Sequence, residues 1–255
     1  MDILQEHLPF TPWSDPALAR LPGMRPVEGD WLIVDEAYAA QMAHKARLLK
    51  ARRPQVLALD PAAAPAAREA LDVVLWALPA GFERQGDAVR CPDGRVVVPT
   101  CDAPLESLGG LIQEDVVVLQ KREGAFVLTG ALLCFPAAWT LAEKFMQPLD
   151  AIHRPVPSYA PVAARVERMF DRVRVGQPLW RANALMYHDA ELYQPHSETE
   201  PRIPPKGTPR YLRAERQTIL RLPRTEALVF LVHTYVLPFD RLTSEQQASC
   251  PFHQA

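Results

Sequence analysis

Proline is spread along the whole of this 255-residue sequence, 26 in all. Each proline fixes its own φ and removes a backbone donor. Residues of this kind punctuate elements, so the chain reads as many segments in series with no single proline-rich linker. Between the prolines, hydrophobic periodicity assigns the elements. The first thirty residues, rich in Pro, Asp and Gly, read as an extended lead-in that Trp13 and Trp31 can pack down. Asp35 is placed as an N-cap, followed by Tyr38, Met42, Ala46 and Leu49 at helical spacing. Arg47, Lys50, Arg52 and Arg53 then complement the helix end. A second helix is expected over Pro65 to Leu78, with Leu71, Val74, Leu75 and Leu78 as its stripe and Pro79 as its stop.

Strand signals follow. Ala88 to Arg90 and Arg95 to Val98 flank the turn Pro92-Asp93-Gly94. Val116 to Gln120 and Phe126 to Phe135 flank Glu123-Gly124 as a longer hairpin. Pro136 suits the first position of a helix, predicted over Trp139 to Gln147. Another helix begins at Pro161, burying Val162, Val166, Met169, Phe170 and Val173. Strands return at Leu179 to Tyr187, Gln217 to Leu222 and Ala227 to Leu237, with a polar, proline-rich loop over Pro195 to Pro209. The order helices, strands, helices, strands predicts an α+β fold with a mostly antiparallel sheet flanked by helices. A single domain over residues 1–255 with an N-terminal helical extension accommodates it.

Several functions are disfavoured. A formal net charge of −2 gives no basic excess for nucleic acid. No GxGxxG or Walker motif supports a nucleotide fold. Cys91, Cys101, Cys134 and Cys250 form no CxxC pair, which argues against structural zinc and for reduced thiols in the cytoplasm. The start lacks a targeting pattern, and no apolar run reaches the length of a membrane span.

Candidate chemistry is sparse. His153, in Ile152-His153-Arg154-Pro155-Val156-Pro157, follows a helix and precedes two prolines that stiffen the backbone. It reads either as an axial haem ligand or as a helix-end residue bonding a carbonyl. His233 lies in an apolar strand on one face with Leu231 and Tyr235, as a core or a pocket residue, with the core reading favoured. His188 and His196 sit at a loop; His7, His44 and His253 carry no signal. Cys134 is either a thiolate ligand or, more commonly, a small buried hydrophobe. Arg210, Arg213, Arg216, Arg221 and Arg224 concentrate charge suited to carboxylates or phosphates, or line a solvated edge strand. Glu114 and Asp115 form a carboxylate pair that can orient an amine or cap a turn.

Several segments acquire meaning together: Leu108-Gly-Gly-Leu-Ile-Gln-Glu-Asp115, Cys134-Phe-Pro-Ala-Ala-Trp139, Glu143-Lys144, Ile152-His-Arg-Pro-Val-Pro157, Leu212-Arg-Ala-Glu-Arg-Gln-Thr-Ile-Leu-Arg-Leu-Pro-Arg224 and Thr234-Tyr235. In this order the chain, from about Pro9 to Phe239, resembles the haem-binding alpha subunit of the haem-dependent oxidative N-demethylases. The resemblance implies a PAS-like fold and a b-type haem. It implies oxygen-dependent removal of a methyl group from a small methylamine, with formaldehyde as the second product. Electrons would come from NADPH through separate flavin and iron–sulfur subunits, since this chain has no ferredoxin cluster. It places His153 at the iron and Arg213, Arg216, Gln217, Arg221 and Arg224 among the residues near the propionates or the distal pocket. Glu114 or Asp115 would hold the cationic amine. The chain departs from the family pattern at Ala184, after Asn183, where a tryptophan is expected. It departs again at Met146, where a glycine often follows the Glu-Lys helix, and in Leu78-Pro-Ala-Gly-Phe-Glu83. A haem or small-ligand sensor without catalysis is the alternative that a PAS-like fold leaves open.

Overall fold

The computed structural model describes residues 3–18, 22–156, 158–200, 203 and 206–252. Its first half runs β1 (Arg25–Pro26), α1 (Tyr38–Val56), β2 (Leu57–Leu59), α2 (Ala64–Trp76), β3 (Glu83–Gln85), β4 (Ala88–Arg90), β5 (Val96–Val97) and α3 (Pro104–Leu111). The second half runs β6 (Asp115–Arg122), β7 (Ala125–Leu132), α4 (Leu141–Lys144), α5 (Leu149–Ile152), α6 (Ala163–Asp171), β8 (Leu179–Tyr187), β9 (Tyr211–Arg221), β10 (Leu228–Pro238) and α7 (Ser244–Ser249).

Seven strands form one antiparallel sheet in the order β1-β8-β9-β10-β6-β7-β2, and β3-β4-β5 form a small second sheet. The fold is therefore α+β, as expected. Strand alternation sends successive side chains to opposite faces. On the first face, Val116, Val118, Val229 and Leu231 meet Met42 and Leu48 of α1, Leu71 and Val74 of α2, and Leu108 and Leu111 of α3. On the second, Val117, Leu119, Ile219, Leu228 and Phe230 meet Leu141, Leu149, Val166 and Phe170 of α4, α5 and α6.

Local chemistry explains most boundaries. Pro65 and Pro104 sit in first turns, where a missing N–H costs nothing. Gly109 of α3 lies so close to β7 that a Cβ there would overlap the Leu132 side chain. Asp35 stands two residues before the α1 cap, Ala37. It caps the turn leading into the helix, accepting from Ala37 N at 3.0 Å through Oδ1 and from Tyr38 N at 3.0 Å through its carbonyl. Pro54 lies inside the last turn of α1, and the backbone bends at Arg52.

Two expectations change. The helix predicted over Trp139 to Gln147 shrinks to the four residues of α4, and Pro136 is not helical. Ala138 and Met146 take positive φ, 61° each, which ends helical propagation on both sides. Met146 N instead donates to Leu128 O at 2.8 Å, and Leu128 N donates to Gln147 O at 3.1 Å, so the chain docks on β7. The Pro136 carbonyl accepts from Gln194 N at 3.2 Å. The basic strand is also not an edge: β9 lies between β8 and β10. Parts of the 195–209 loop, Pro157 and His253 lie outside the described residues. Among the described residues, no helix is long and apolar enough to cross a membrane.

Candidate functional site: two polar faces of one sheet

The two faces of the sheet treat their polar residues differently. Under α1, His233 is buried, with Nε2 3.0 Å from Asp35 Oδ2 and Nδ1 3.4 Å from Glu114 Oε1. Burial alone would lower its pKa, but the bonds and charges of Asp35 and Glu114 outweigh that and raise it to about 9. Glu114 Oε1 also accepts from Ile33 N at 2.8 Å. Gln113 Nε2 donates to Asp35 at 2.8 Å and to Gln41 at 3.0 Å, and Gln5 Nε2 donates to Asp35 at 2.9 Å. This cluster fastens the N-terminal segment to β10. His233 is a bonded core residue, matching the reading favoured from its strand.

Asp115 is equally committed. Its Oδ2 accepts from Phe135 N at 2.6 Å, and Lys45 Nζ lies 3.7 Å from Oδ1. That ammonium is buried and donates to the carbonyls of Ile112, Gln113 and Glu114. The expected carboxylate pair thus faces protein on both members. Cys134 is buried and its thiol is pushed up to about 12, by burial first and then by the Asp115 charge. It behaves as a small hydrophobe, since thiolate chemistry needs a lowered pKa.

The second face carries His153. His153 is the C-terminal cap residue of α5, and its Nδ1 lies 2.8 Å from Leu149 O. A carbonyl can only accept, so Nδ1 carries the proton and the lone pair is left on Nε2. Tyr159 stacks on the ring at 4.1 Å between centroids and 10° between planes. Burial lowers the His153 pKa. The Leu149 bond opposes this, whereas the charges of Lys144 and Arg181 reinforce it. A neutral imidazole with a fixed tautomer is the ligating form.

Opposite the α4–α6 segment, the sheet carries two polar rows set by register: Arg181 beside Gln217, and Asn183 beside Glu215 and Thr234. Arg181 Nη1 donates to Gln217 Oε1 at 3.0 Å, and Gln217 Nε2 donates to Glu215 Oε2 at 3.2 Å. Among the described residues, Arg181 Nε, Arg213 Nε, Thr234 Oγ1 and Tyr159 Oη are buried here without a hydrogen-bond partner; His233 Nδ1, Glu114 Oε2 and Asp115 Oδ1 on the first face also lack one, but there His233 Nδ1 and Asp115 Oδ1 have charged neighbours at 3.4 and 3.7 Å. Buried polar groups are ordinarily bonded, and on this face the exceptions include a guanidinium with no ion-pair partner among the described residues, across from a neutral imidazole, which makes it the candidate ligand site.

The other expected arginines disperse. Arg213 shares this face but donates to Leu192 O at 3.0 Å and Phe135 O at 2.6 Å. Arg216 points to the first face, donating to Trp31 O at 3.3 Å and lying over Trp180. Arg221 binds the carbonyls of Val173, Glu226 and Phe170. Arg224 pairs with Asp72 at 2.6 Å and Glu69 at 3.4 Å. The structure brings together His153 and Gln217 of the expected set and adds Arg181, Asn183, Glu215 and Tyr159. The sequence carried a signal for these additions: polar residues two apart in the otherwise apolar Leu179 to Tyr187 strand, matched by Glu215 and Gln217.

An antiparallel sheet with one face closed by a buried charged cluster, and with a neutral imidazole across from an unpaired guanidinium on the other, is an α+β protein with a candidate ligand or cofactor site. The model of the family described as haem-dependent oxidative N-demethylase, alpha subunit-like, matches residues 23–255, nearly the whole chain. The chain belongs to this family, whose description indicates haem dependence and an alpha subunit of a multi-subunit enzyme.

Proposed function

We propose that this chain is the haem-binding subunit of an oxidative N-demethylase, built as one PAS-like domain over residues 1–255 with an N-terminal helical extension. The observation that carries the reading is the Nδ1 bond of His153 to Leu149 O, which leaves the ring's lone pair on Nε2. The order β7-β6-β10-β9-β8, with α4–α6 between the second and third strands in sequence, supports the PAS-like assignment.

The donor set fits a b-type haem. His153 would hold the iron, the apolar residues Leu149, Ile152 and Phe230 of this face suit a macrocycle, and a guanidinium of the sheet suits a propionate. When bound, haem supplies oxygen activation and one-electron chemistry. The chain's own residues keep the imidazole neutral, fix its orientation through Leu149 and Tyr159, and exclude water with the α4–α6 cover. Gln217 orients Arg181. The reaction so supported is removal of a methyl group from a small methylamine with release of formaldehyde. Electrons come from separate NADPH-dependent flavin and iron–sulfur subunits. The described cysteines are all free, in keeping with a cytoplasmic setting.

Hemin titration of the purified chain tests this. The expected result is a saturable one-to-one Soret band whose ligation changes in His153→Ala, and formaldehyde release from N-methylamines once a reductase is supplied. An unchanged band in His153→Ala rules out that histidine. Specific haem without turnover turns the reading to a sensor.

A further inference from the structure

Arg181 is the least satisfied cation on the ligand face. A guanidinium offers five N–H donors. Arg181 makes a single side-chain hydrogen bond among the described residues, to the neutral amide of Gln217. Its Nε is buried and unpartnered. Among the described residues no carboxylate lies within the 4.0 Å of an ion pair. Glu215 reaches it only through the longer-range charge interaction that partly offsets the cost of burial.

The neighbouring arginines differ. Arg213 donates to two backbone carbonyls and lies 3.7 Å from Glu215, Arg221 binds backbone carbonyls, Arg224 has two carboxylates, and Arg216 lies over an indole. The charge beside the imidazole is positive, with Arg181 and Lys144 both felt by His153. Lys144 is matched by Glu198; Arg181 is not matched. A desolvated, unpaired guanidinium is costly unless an anion completes it, and its planar fork suits a carboxylate.

We propose that Arg181 is a carboxylate-binding residue of this site, positioned by Gln217. The inference rests on the haem reading for one of its two sources of carboxylate, a haem propionate; the other is a carboxylate borne by the methylamine substrate. The sequence's basic stretch around β9 does not supply this group. It comes from β8.

Three variants, Arg181→Leu, Arg181→Lys and Arg181→Gln, are compared with wild type. In the ligand-free protein, Arg181→Leu is expected to melt at or above the wild-type temperature, because an uncompensated charge is removed. A clear fall in all three variants would mean a structural role and overturn the proposal. Hemin is then titrated against its dimethyl ester. If a propionate is the partner, wild type binds the ester about tenfold or more weakly than hemin. That penalty disappears in Arg181→Leu and partly returns in Arg181→Lys.

Calorimetry on the ligand-free chain compares N-methylglycine with dimethylamine. Preference for N-methylglycine that is lost in Arg181→Leu assigns the substrate's carboxylate instead. Discrimination that is independent of Arg181 in both assays overturns the proposal while leaving the haem reading intact. No saturable hemin band in folded wild type overturns the haem reading, and the calorimetric arm then decides Arg181 by itself.

Discussion

Raising the pH should loosen the clasp between the N-terminal segment and β10, and its size follows from His233. The ring is bonded to Asp35 and lies 3.4 Å from Glu114, and its pKa stands near 9 against an ordinary 6.5. A folded-state pKa above the unfolded value contributes stability that is complete below pH 6.5 and lost as pH rises through 9. At ~1.4 kcal/mol per unit, the shift corresponds to about 3 kcal/mol. Asp35 is lowered to about 2, burial opposing and the His233 bond prevailing. That is the same ion pair seen from its other partner, so the two shifts are not added. The remaining groups that face the ring are Tyr235, whose pKa burial raises, and Arg216, opposite on β9. Neither changes charge in this window. Urea unfolding of wild type and His233→Gln between about pH 6 and 9.5 isolates the contribution, because other titrations cancel in the difference. The wild-type advantage should shrink by about 3 kcal/mol across that range. A difference that stays flat would refute a charged His233.

Three further outcomes are expected. Lys45→Met leaves Asp115 buried without its ammonium and should cost about 3–5 kcal/mol in urea unfolding, whereas Lys45→Met combined with Asp115→Asn should cost less than Lys45→Met alone. Met146 holds φ at 61°, so Met146→Gly should be neutral or stabilise by up to about 1 kcal/mol, read from the thermal midpoint. Glu69 accepts from Arg224 N at 2.6 Å and from Thr225 N at 2.8 Å, and Thr225 Oγ1 also donates to it. Glu69→Ala should therefore cost about 2 kcal/mol and raise hydrogen exchange in the turn between β9 and β10.

Legibility in the sequence followed the range of the forces involved. The Leu179 to Tyr187 strand and the hairpin around Glu123-Gly124 were readable because alternation and turn chemistry are local. The α2 helix was readable because its stripe and its prolines are. The family was readable because ordered motifs carry it, and His153 stood out between a helix and a proline. The helix expected after Pro136 failed because bonds to Leu128, distant in the chain, compete with helical ones. Which arginine faces the ligand depends on the parity of a strand, and a strand's parity has meaning only once its partners fix which face is covered. Glu114, Asp115 and Arg216 carry the residue types of a site, yet tertiary packing assigns them to the clasp and the core. Nothing in the sequence singles out Arg181; what distinguishes it is that no carboxylate among the described residues pairs with its guanidinium, a fact about neighbours from other elements. The sequence by itself determined the periodicity, the punctuation and the family, all properties of residues near one another in the chain. The tertiary structure decided which polar groups are satisfied and which await a ligand, because satisfaction is a property of contacts made across the fold.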